Sequence, residues 1–378
     1  MRPIIILFLS GFVQALQAGE FVPADGPPIK DQYIVVLRNE MPPQAREGLL
    51  RTLAGSSLKG VYQKALNGGV VTMPQQRAEA LARNPNVAYV EQDATVWASA
   101  TQLPAVWGLD RIDQAQLPLN NLYNYTQTGS GVTAYVIDTG VRYDHVDLAG
   151  RATPGIDVFG GDGSDCNGHG SHVAGTIGGM TYGVAKSVNL VSVRVLDCNG
   201  SGSISGVIAG VDWVTVNHYT PAVANMSLGG GASTSLDTAV TNSIRSGVTY
   251  AIAAGNAGKD ACLTSPARVR ETGALTVGAT TSTDARASYS NYGKCLDLFA
   301  PGSSITSIWN TGTTATNTIS GTSMATPHVA GVAALYLEKD PSATPASVRN
   351  AVVAVATRRA VSAAGRNSPD ALLYSVLP

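Results

Sequence analysis

Charged side chains are scarce in this sequence. Asp, Glu, Lys and Arg make up 13% of the 378 residues, whereas soluble domains average about 25%. The 25 basic and 26 acidic residues leave a formal net charge of −1. They are interspersed, so no basic patch marks a surface for nucleic-acid phosphates or anionic lipids. We therefore expect neither a nucleic acid nor a membrane as a partner.

Long apolar runs are also missing, since none reaches the about 20 residues that span a bilayer. At the N-terminus, Met1 and Arg2 precede an apolar stretch from Ile4 to Val13, and small and polar residues follow up to Ala18. This pattern is typical of a secretory signal peptide. Residues 1–18 are therefore predicted to be removed from a secreted protein; a buried N-terminal strand is the alternative.

Cysteine is rare, and no two cysteines form a CxxC pair, which disfavours a zinc site. An even number in a secreted chain favours disulfide bonds, for which three pairings can be drawn. Free buried thiols are the alternative interpretation. The four residues are Cys166, Cys198, Cys262 and Cys295.

Residues 32–97 have the pattern of a small separate unit. Residues 32–38 (QYIVVLR), 68–74 (GGVVTMP) and 86–92 (NVAYVEQ) read as strands, and residues 44–54 and 75–83 as helices. Strands and helices in this order predict a small α+β sandwich.

From about residue 130 onward, short apolar strands alternate with helices. The strand segments are GVTAYVID, NLVSVRVL, AVANMSLGG and TYAIAAGN. Continuous apolar strands with helical crossovers predict a parallel sheet covered on both faces. Ligands of such sheets bind beyond the carboxyl ends of the strands, where polar residues follow these runs.

Three polar residues stand where chemistry is expected. Asp138 follows a buried strand in YVIDTGV, His169 begins a Gly- and Ala-rich helix in NGHGSHVAGTIGG, and Ser323 begins another in GTSMATPHVAG. A serine hydroxyl needs a base to remove its proton, and the imidazole base needs a carboxylate to orient it. Taken singly, the three could be a turn residue, a core histidine and a helix N-cap.

Together, the chain order Asp, His, Ser and the motifs DTGV, GHGSHVAGT, SLGG, AAGN and GTSMATPHVAG resemble the subtilisin-like serine proteases. The proteinase K branch is the most similar. The resemblance implies an α/β three-layer domain with a mostly parallel central sheet at residues 100–378. It also implies a ferredoxin-like α+β propeptide at residues 19–99, whose inhibitor and chaperone domain spans about 31–97.

The same resemblance implies a function. We expect a secreted, monomeric serine endopeptidase that hydrolyses proteins and peptides and is inhibited by its own propeptide until it cleaves itself near Ser99 and Ala100. Ser323 would be the nucleophile, His169 the base and Asp138 its carboxylate. The Asn256 amide and the Ser323 backbone N–H would form the oxyanion hole.

Two further histidines, His172 and His328, lie near the motifs, and we assign them to packing. Ser171 stands where relatives usually carry threonine, a change that keeps a hydroxyl.

The resemblance further implies that the substrate peptide lies as an added strand between two backbone edges, SLGG and GSG. No acidic residue replaces the small and apolar positions there, which favours apolar or aromatic residues before the cut over strict processing at basic sites. Sheet packing alone is the alternative for Val207 and Leu228. The predicted contacts are Gly200, Ser201, Gly202, Ile204, Val207, Ser227, Leu228, Gly229, Ala253, Ala254 and Gly255.

The resemblance also implies disulfide bonds from Cys166 to Cys198 and from Cys262 to Cys295. It implies structural, non-catalytic calcium as the cofactor, with Asp297 as a ligand beside loop carbonyls of residues 268–274. A second site would use Asp110, Asp113 and Gln114, although Asn120 and Leu122 stand where relatives supply oxygen ligands.

Three sequons, at Asn124, Asn199 and Asn225, are candidate glycan acceptors, of which Asn225 ends a core strand. A catalytically silent binding protein is the competing function. It would predict a damaged triad, and Asp138, His169 and Ser323 are all present.

Overall fold

The computed structural model of this chain describes residues 19–24, 28–94 and 100–376. The described residues fall into two compact units, the first within residues 19–94 and the second within residues 100–376. The predicted signal peptide, residues 1–18, and the predicted cleavage near Ser99 lie outside the described residues. The boundary between propeptide and mature chain therefore stays a prediction.

The described part of the N-terminal unit is one sheet with two helices. Its elements are β1 (Glu20–Val22), β2 (Pro28–Leu37), α1 (Pro43–Ala54), β3 (Leu58–Val61), β4 (Gly68–Thr72), α2 (Gln75–Ala82) and β5 (Val87–Ala94). The strands follow the order β1-β5-β2-β4-β3, in which β1 pairs parallel to β5 and the remaining pairs are antiparallel. From β2 onward this is the β-α-β-β-α-β order of a ferredoxin-like fold, as predicted.

Two strands of this unit were not predicted, β1 and β3. Each has four residues or fewer, and the sequence of β3, LKGV, buries none of its side chains fully. Without alternating burial, a strand leaves no period of two in the sequence. The longer strand β2 does bury Tyr33, Val35 and Leu37 in the core of the unit.

The second unit is built around a nine-stranded sheet. The described strands of the whole unit are β6 (Ala100–Gln102), β7 (Tyr123–Tyr125), β8 (Thr133–Asp138), β9 (Ala152–Asp157), β10 (Asn189–Arg194), β11 (Ala222–Met226), β12 (Gly230–Gly231), β13 (Thr249–Ala253), β14 (Thr264–Ser265), β15 (Ala274–Thr280), β16 (Leu298–Pro301), β17 (Ile305–Ile308), β18 (Thr316–Ile319), β19 (Thr357–Arg358) and β20 (Ala371–Leu372). Six of these strands form three separate two-stranded sheets, β6 with β7, β12 with β14 and β17 with β18. The described helices of the unit are α3 (Trp107–Ile112), α4 (His169–Gly178), α5 (Ile204–Asn217), α6 (Thr234–Arg245), α7 (Thr322–Lys339) and α8 (Pro345–Val355).

The strand order of this sheet is β19-β20-β16-β15-β13-β11-β8-β10-β9. All neighbouring pairs are parallel except β19 with β20. The residues of β11, β13 and β15 are buried throughout, as expected for strands covered on both faces.

Two apolar cores lie on opposite faces of the sheet. Helices α4, α7 and α8 contribute to one core, and α5 and α6 to the other. This gives the three-layer architecture that the sequence predicts. In the part of the chain that the structure describes, no helix combines the length and apolar character needed to cross a bilayer.

Three of the four predicted strand segments extend past the carboxyl ends of their strands, whereas GVTAYVID ends with β8 at Asp138. The apolar run that contains β10 continues through Val195 and Leu196, but both backbone N–H groups bind the carbonyl of Asp138. The chain therefore turns over the end of β8 at this point, and polar side chains of successive strands collect at one edge of the sheet.

Candidate active site

Asp138 and His169 meet at the carboxyl edge of the sheet. Asp138 ends β8 and is fully buried, whereas the side chain of His169, the first residue of α4, is 25% exposed. The Nδ1 atom of His169 lies 2.7 Å from Oδ1 of Asp138. If Nδ1 carries the proton, the carboxylate accepts it and Nε2 is left as the basic nitrogen.

Helix α4 can begin at His169 because the preceding residue is glycine. Gly168 has φ of 113°, and a Cβ atom there would come within 2.3 Å of the Trp309 ring. Only glycine combines this left-handed conformation with the close approach of the indole. The motif NGHG is therefore explained by backbone geometry next to the imidazole.

Ser323 is the second residue of α7 and is half-buried. Its hydroxyl donates to the carbonyl oxygen of Ser227 at 3.1 Å, rather than to the imidazole of His169.

Electrostatics distinguish the three histidines near the motifs. Burial by itself would lower the pKa of His169, but the charge and hydrogen bond of Asp138, with a smaller contribution from Asp165, raise it above 6.5. Burial lowers the pKa of His172 and of His328 to about 4. Their rings contact the carbonyls of residues 305 and 324. These contacts agree with the packing role predicted for both.

The Asn256 side chain lies beside the start of α7. Its Oδ1 accepts from the backbone N–H of Thr322 at 2.8 Å and from the Thr322 hydroxyl at 2.9 Å. These two bonds fix which end of the amide is the acceptor, so the NH₂ group is turned away from Thr322. An exposed amide donor next to Ser323 is the arrangement an oxyanion hole requires.

The two glycine-rich edges border one cleft of about 480 Å³. Among the described residues, its lining contains no Asp, Glu, Lys or Arg, and its predicted contacts include Gly200–Gly202, Ile204, Val207 and Ser227–Gly229. His169 opens into the same cleft. Such a site suits uncharged side chains bound between two backbone edges.

Three predicted contacts lie apart from the lining of that cleft. Ala253 and Ala254 are buried at the end of β13, and Gly255 follows them. The buried Asn291 amide holds this turn, because its Nδ2 donates to the Ala254 carbonyl and its Oδ1 accepts from the N–H groups of residues 257 and 259. Their predicted role in a substrate pocket stays a prediction.

Sequence reasoning missed several residues of the cleft. Leu196 and Leu236 add apolar surface, and Thr139 and Asn167 add polar groups near His169. Thr139 and Asn167 are recognisable because they stand beside motif residues. Leu236 lies on α6, and no motif in the surrounding sequence indicates that it lines the cleft.

Both predicted disulfide bonds are present, Cys166–Cys198 and Cys262–Cys295. No cysteine is free. The first bond joins the loop before His169 to the loop before Gly200.

The surroundings of Asp297 fit a calcium ion poorly. Oδ1 of Asp297 forms an ion pair with Arg349 at 2.5 Å, and Oδ2 accepts from the N–H of Thr276 at 2.8 Å. A metal would have to displace a guanidinium cation. Within the described ranges, no group of three or more His, Cys, Asp or Glu side chains could hold an ion.

The second predicted calcium site, at Asp110, Asp113 and Gln114, contains one carboxylate oxygen that, as far as the described residues show, is free to bind a cation. Asp110 accepts two backbone N–H groups from residues 120 and 121. The Oδ2 of Asp113 accepts from Asn124, but its Oδ1 is buried and has no hydrogen-bond partner among the described residues. The Gln114 amide donates to two loop carbonyls. An unpaired buried carboxylate oxygen fits a cation, so calcium here stays a prediction.

The sequons differ in access. Asn199 is exposed and Asn225 is fully buried in β11, whereas the amide nitrogen of Asn124 donates to Asp113 at 2.8 Å. Asn225 is thereby closed to a glycan, as its sequence position indicates.

Comparison with known proteins agrees with this architecture. The family described as the subtilase family matches residues 129–370, and the family described as peptidase inhibitor I9 matches residues 32–98. An extracellular serine proteinase of a Thermus species is 62% identical over 340 residues, covering 89% of this chain and 82% of the relative. Alkaline serine exoprotease A of Vibrio alginolyticus is 52% identical over 367 residues, covering 92% of this chain and 68% of the relative.

A solved structure gives the same assignment. The crystal structure of a cold adapted subtilisin-like serine proteinase is 58% identical, has a TM-score of 0.70, and matches over 72% of this chain and 99% of that chain. The chain therefore belongs to the subtilase family and is a serine proteinase, a hydrolase of peptide bonds, with an I9 inhibitor domain ahead of its protease domain.

Proposed function

We propose that this subtilase is a secreted endopeptidase of broad specificity that uses Asp138, His169 and Ser323 through an acyl-enzyme intermediate. The observation that carries the proposal is the 2.7 Å contact between His169 and Asp138, at the same edge of the sheet as Ser323. The relatives from Thermus and Vibrio are named as an extracellular proteinase and an exoprotease, which supports secretion and proteolysis.

In the first step, the Ser323 hydroxyl leaves the carbonyl of Ser227 and donates to Nε2 of His169. The imidazole takes the proton as Oγ attacks the carbonyl carbon of the substrate. Asp138 stabilises the imidazolium that forms and keeps its ring oriented. The raised pKa of His169 favours this protonated state.

The tetrahedral intermediate places a negative charge on the former carbonyl oxygen. The Asn256 amide and the Ser323 backbone N–H would donate to this oxygen. His169 then gives its proton to the leaving amine, and the acyl group stays on Ser323. Water, activated by the same imidazole, attacks the ester and releases the second product.

Specificity follows from the uncharged cleft. A substrate segment paired with the backbone edges Gly200–Gly202 and Ser227–Gly229 would be bound mostly through its main chain, which tolerates many sequences. Ile204, Val207 and Leu228, with Leu196 and Leu236, would favour apolar side chains. Broad cleavage with a preference for apolar or aromatic residues is therefore proposed.

The I9 domain supports synthesis as a zymogen. A domain of this family ahead of the protease is proposed to inhibit it until the chain is cut near residues 99 and 100. Because the cut would be made by Ser323, activity and processing should be lost together.

The test compares intact mass and casein hydrolysis for the wild type, Ser323→Ala, and the exposed control Ser342→Ala. The wild type and Ser342→Ala should lose residues up to about 99 and digest casein, while Ser323→Ala should keep its full mass and be inert. If all three are processed alike and none digests casein, the triad assignment fails and a binding protein becomes the better interpretation.

A further inference from the structure

Asp165 lies four residues before His169 and outside every motif used above. Its Oδ1 accepts three hydrogen bonds of 2.9 Å, from the Thr139 hydroxyl and from the N–H groups of Asn167 and Gly168. Thr139 directly follows Asp138. One carboxylate oxygen therefore binds the loop that carries the aspartate of the triad and the loop that carries its histidine.

The other oxygen of Asp165 binds the first turn of α4. Its Oδ2 accepts from the N–H of Ser171 at 2.9 Å and from the Ser171 hydroxyl at 2.6 Å. The same hydroxyl accepts from the N–H of Arg142 at 3.0 Å, in the segment that follows β8. Asp165 thus accepts five hydrogen bonds. One comes from the residue after Asp138, and four come from residues that flank His169.

Thr139 strengthens the connection, because its hydroxyl also accepts from the N–H of Gly170 at 2.9 Å. Thr139 is fully buried. The hydroxyl therefore donates to Asp165 and accepts from α4, so a shift of either loop would break a buried hydrogen bond. Buried polar networks of this kind are costly to leave partly paired.

The charge of Asp165 is not neutralised by an ion pair with Arg or Lys in the described part of the chain. The nearby Arg142 pairs with Asp144 instead. Asp165 therefore adds a second negative charge close to the imidazole, in addition to Asp138.

We propose that Asp165 is a positioning residue for catalysis: it holds His169 against Asp138 and favours the imidazolium that forms when Ser323 is deprotonated. This inference rests on the proposed triad. Three titratable groups interact electrostatically with His169. They are Asp138 at the end of β8, Asp165 in the loop before α4, and His172 on α4.

The first test is Asp165→Asn, which keeps the shape of the side chain and removes its charge. A misplaced base lowers the chemical step more than binding, so we expect kcat to fall on the order of 10- to 100-fold with KM changed less than about twofold. Losing a negative charge should lower the pKa of His169. The acid limb of kcat/KM should therefore move to lower pH, which a merely structural contact would not cause.

Asp162→Asn is the matched control. Asp162 lies in the same loop, and its carboxylate accepts from the N–H of Ser164, away from the triad. It should keep the wild-type kcat and acid limb. The imidazole pKa can also be followed by NMR in a Ser323→Ala background, where Asp165→Asn should lower it and Asp162→Asn should not.

A second pair of variants separates geometry from charge. Ser171→Thr keeps the hydroxyl that Asp165 accepts and should behave as wild type, whereas Ser171→Ala should lower kcat without moving the acid limb.

The inference is overturned if Asp165→Asn matches Asp162→Asn in kcat and acid limb, or if it loses only thermal stability. It is also overturned if Ser171→Ala equals the wild type. An active Ser323→Ala enzyme would instead refute the proposed triad itself, so the two failures are distinguishable.

Discussion

Ser227 and Ser323 are joined by two hydrogen bonds that run in opposite directions. The Ser323 hydroxyl donates to the Ser227 carbonyl at 3.1 Å, and the Ser227 hydroxyl donates to the Ser323 carbonyl at 2.8 Å. In a regular helix the Ser323 carbonyl would accept from residue 327, but Pro327 has no N–H. Ser227 satisfies the acceptor that the proline leaves open, and Asn225 in turn donates to the Ser227 hydroxyl.

Ser227→Ala should therefore loosen the start of α7. The Ser323 carbonyl would lose its partner, at a cost of about 1–3 kcal/mol. The unfolding temperature should fall by several degrees and kcat severalfold, because the nucleophile is less well fixed. Ser342→Ala, in the exposed segment after α7, is the matched control. Equal unfolding temperatures and equal kcat for the two variants would contradict the role given to this hydrogen bond.

Ile204 offers a test of specificity, because it lines the cleft and is 47% exposed. Ile204→Glu should lower kcat/KM for peptides with an apolar side chain in this pocket by about tenfold, and raise it for peptides with a basic one. The cleavage sites in a peptide mixture, read by mass spectrometry, measure the change. Val216→Glu introduces the same charge on α5 away from the cleft. If both variants cut the same sites, Ile204 does not contact substrate.

His172 and His328 should make the fold sensitive to acid. Burial lowers their pKa to about 4, while an unfolded chain protonates histidine near about 6.5. The unfolded state therefore takes up protons first. Stability is fully present above about pH 6.5 and is lost as pH falls toward about 4, by on the order of 3 kcal/mol for each residue.

Urea unfolding of the Ser323→Ala protein, which prevents self-digestion, measures this loss between pH 8 and pH 4. Adding His328→Gln removes one titrating group. The double variant should start less stable at pH 8 but lose less with acid than Ser323→Ala alone. An unchanged slope would show that His328 does not titrate in this range.

Calcium should stabilise the protein through Asp113 rather than Asp297. In the part of the chain that the structure describes, the buried Oδ1 of Asp113 has no partner, whereas both oxygens of Asp297 have one. Calcium should raise the unfolding temperature of Ser323→Ala, measured against EDTA. Adding Asp113→Asn should abolish the increase, and adding Asp297→Asn should preserve it. If Asp297→Asn abolishes the increase and Asp113→Asn preserves it, the calcium ion binds at Asp297.

The sequence predicts most of the fold because its strands are long, apolar and bounded by polar residues. Strands β8, β10, β11 and β13 are recognisable in this way. Strands β1 and β3 are not, since their side chains are never buried in alternation. Their pairing with distant strands, rather than their own composition, makes them strands.

The residues of the candidate site also fall into two groups, those that sequence motifs indicate and those that only the folded structure reveals. Asp138, His169 and Ser323 carry chemistry that a motif can signal, and the structure places the first two in contact. Asp165 and Leu236 contribute through position alone, which depends on how distant segments pack. The Arg349 partner of Asp297 is a further example, because 52 residues separate the two.

The Cys166–Cys198 bond bears on how long such a protein survives among copies of itself. A single cut anywhere in residues 167–197 would create two new chain ends, but the bond would keep both pieces in one covalent molecule. The segment contains the imidazole proposed as the base. A molecule cut in this segment would keep His169 covalently attached beside the Gly200–Gly202 edge. Such a cut would therefore reduce the lifetime of the enzyme's activity less than a cut in a loop that no disulfide bridges.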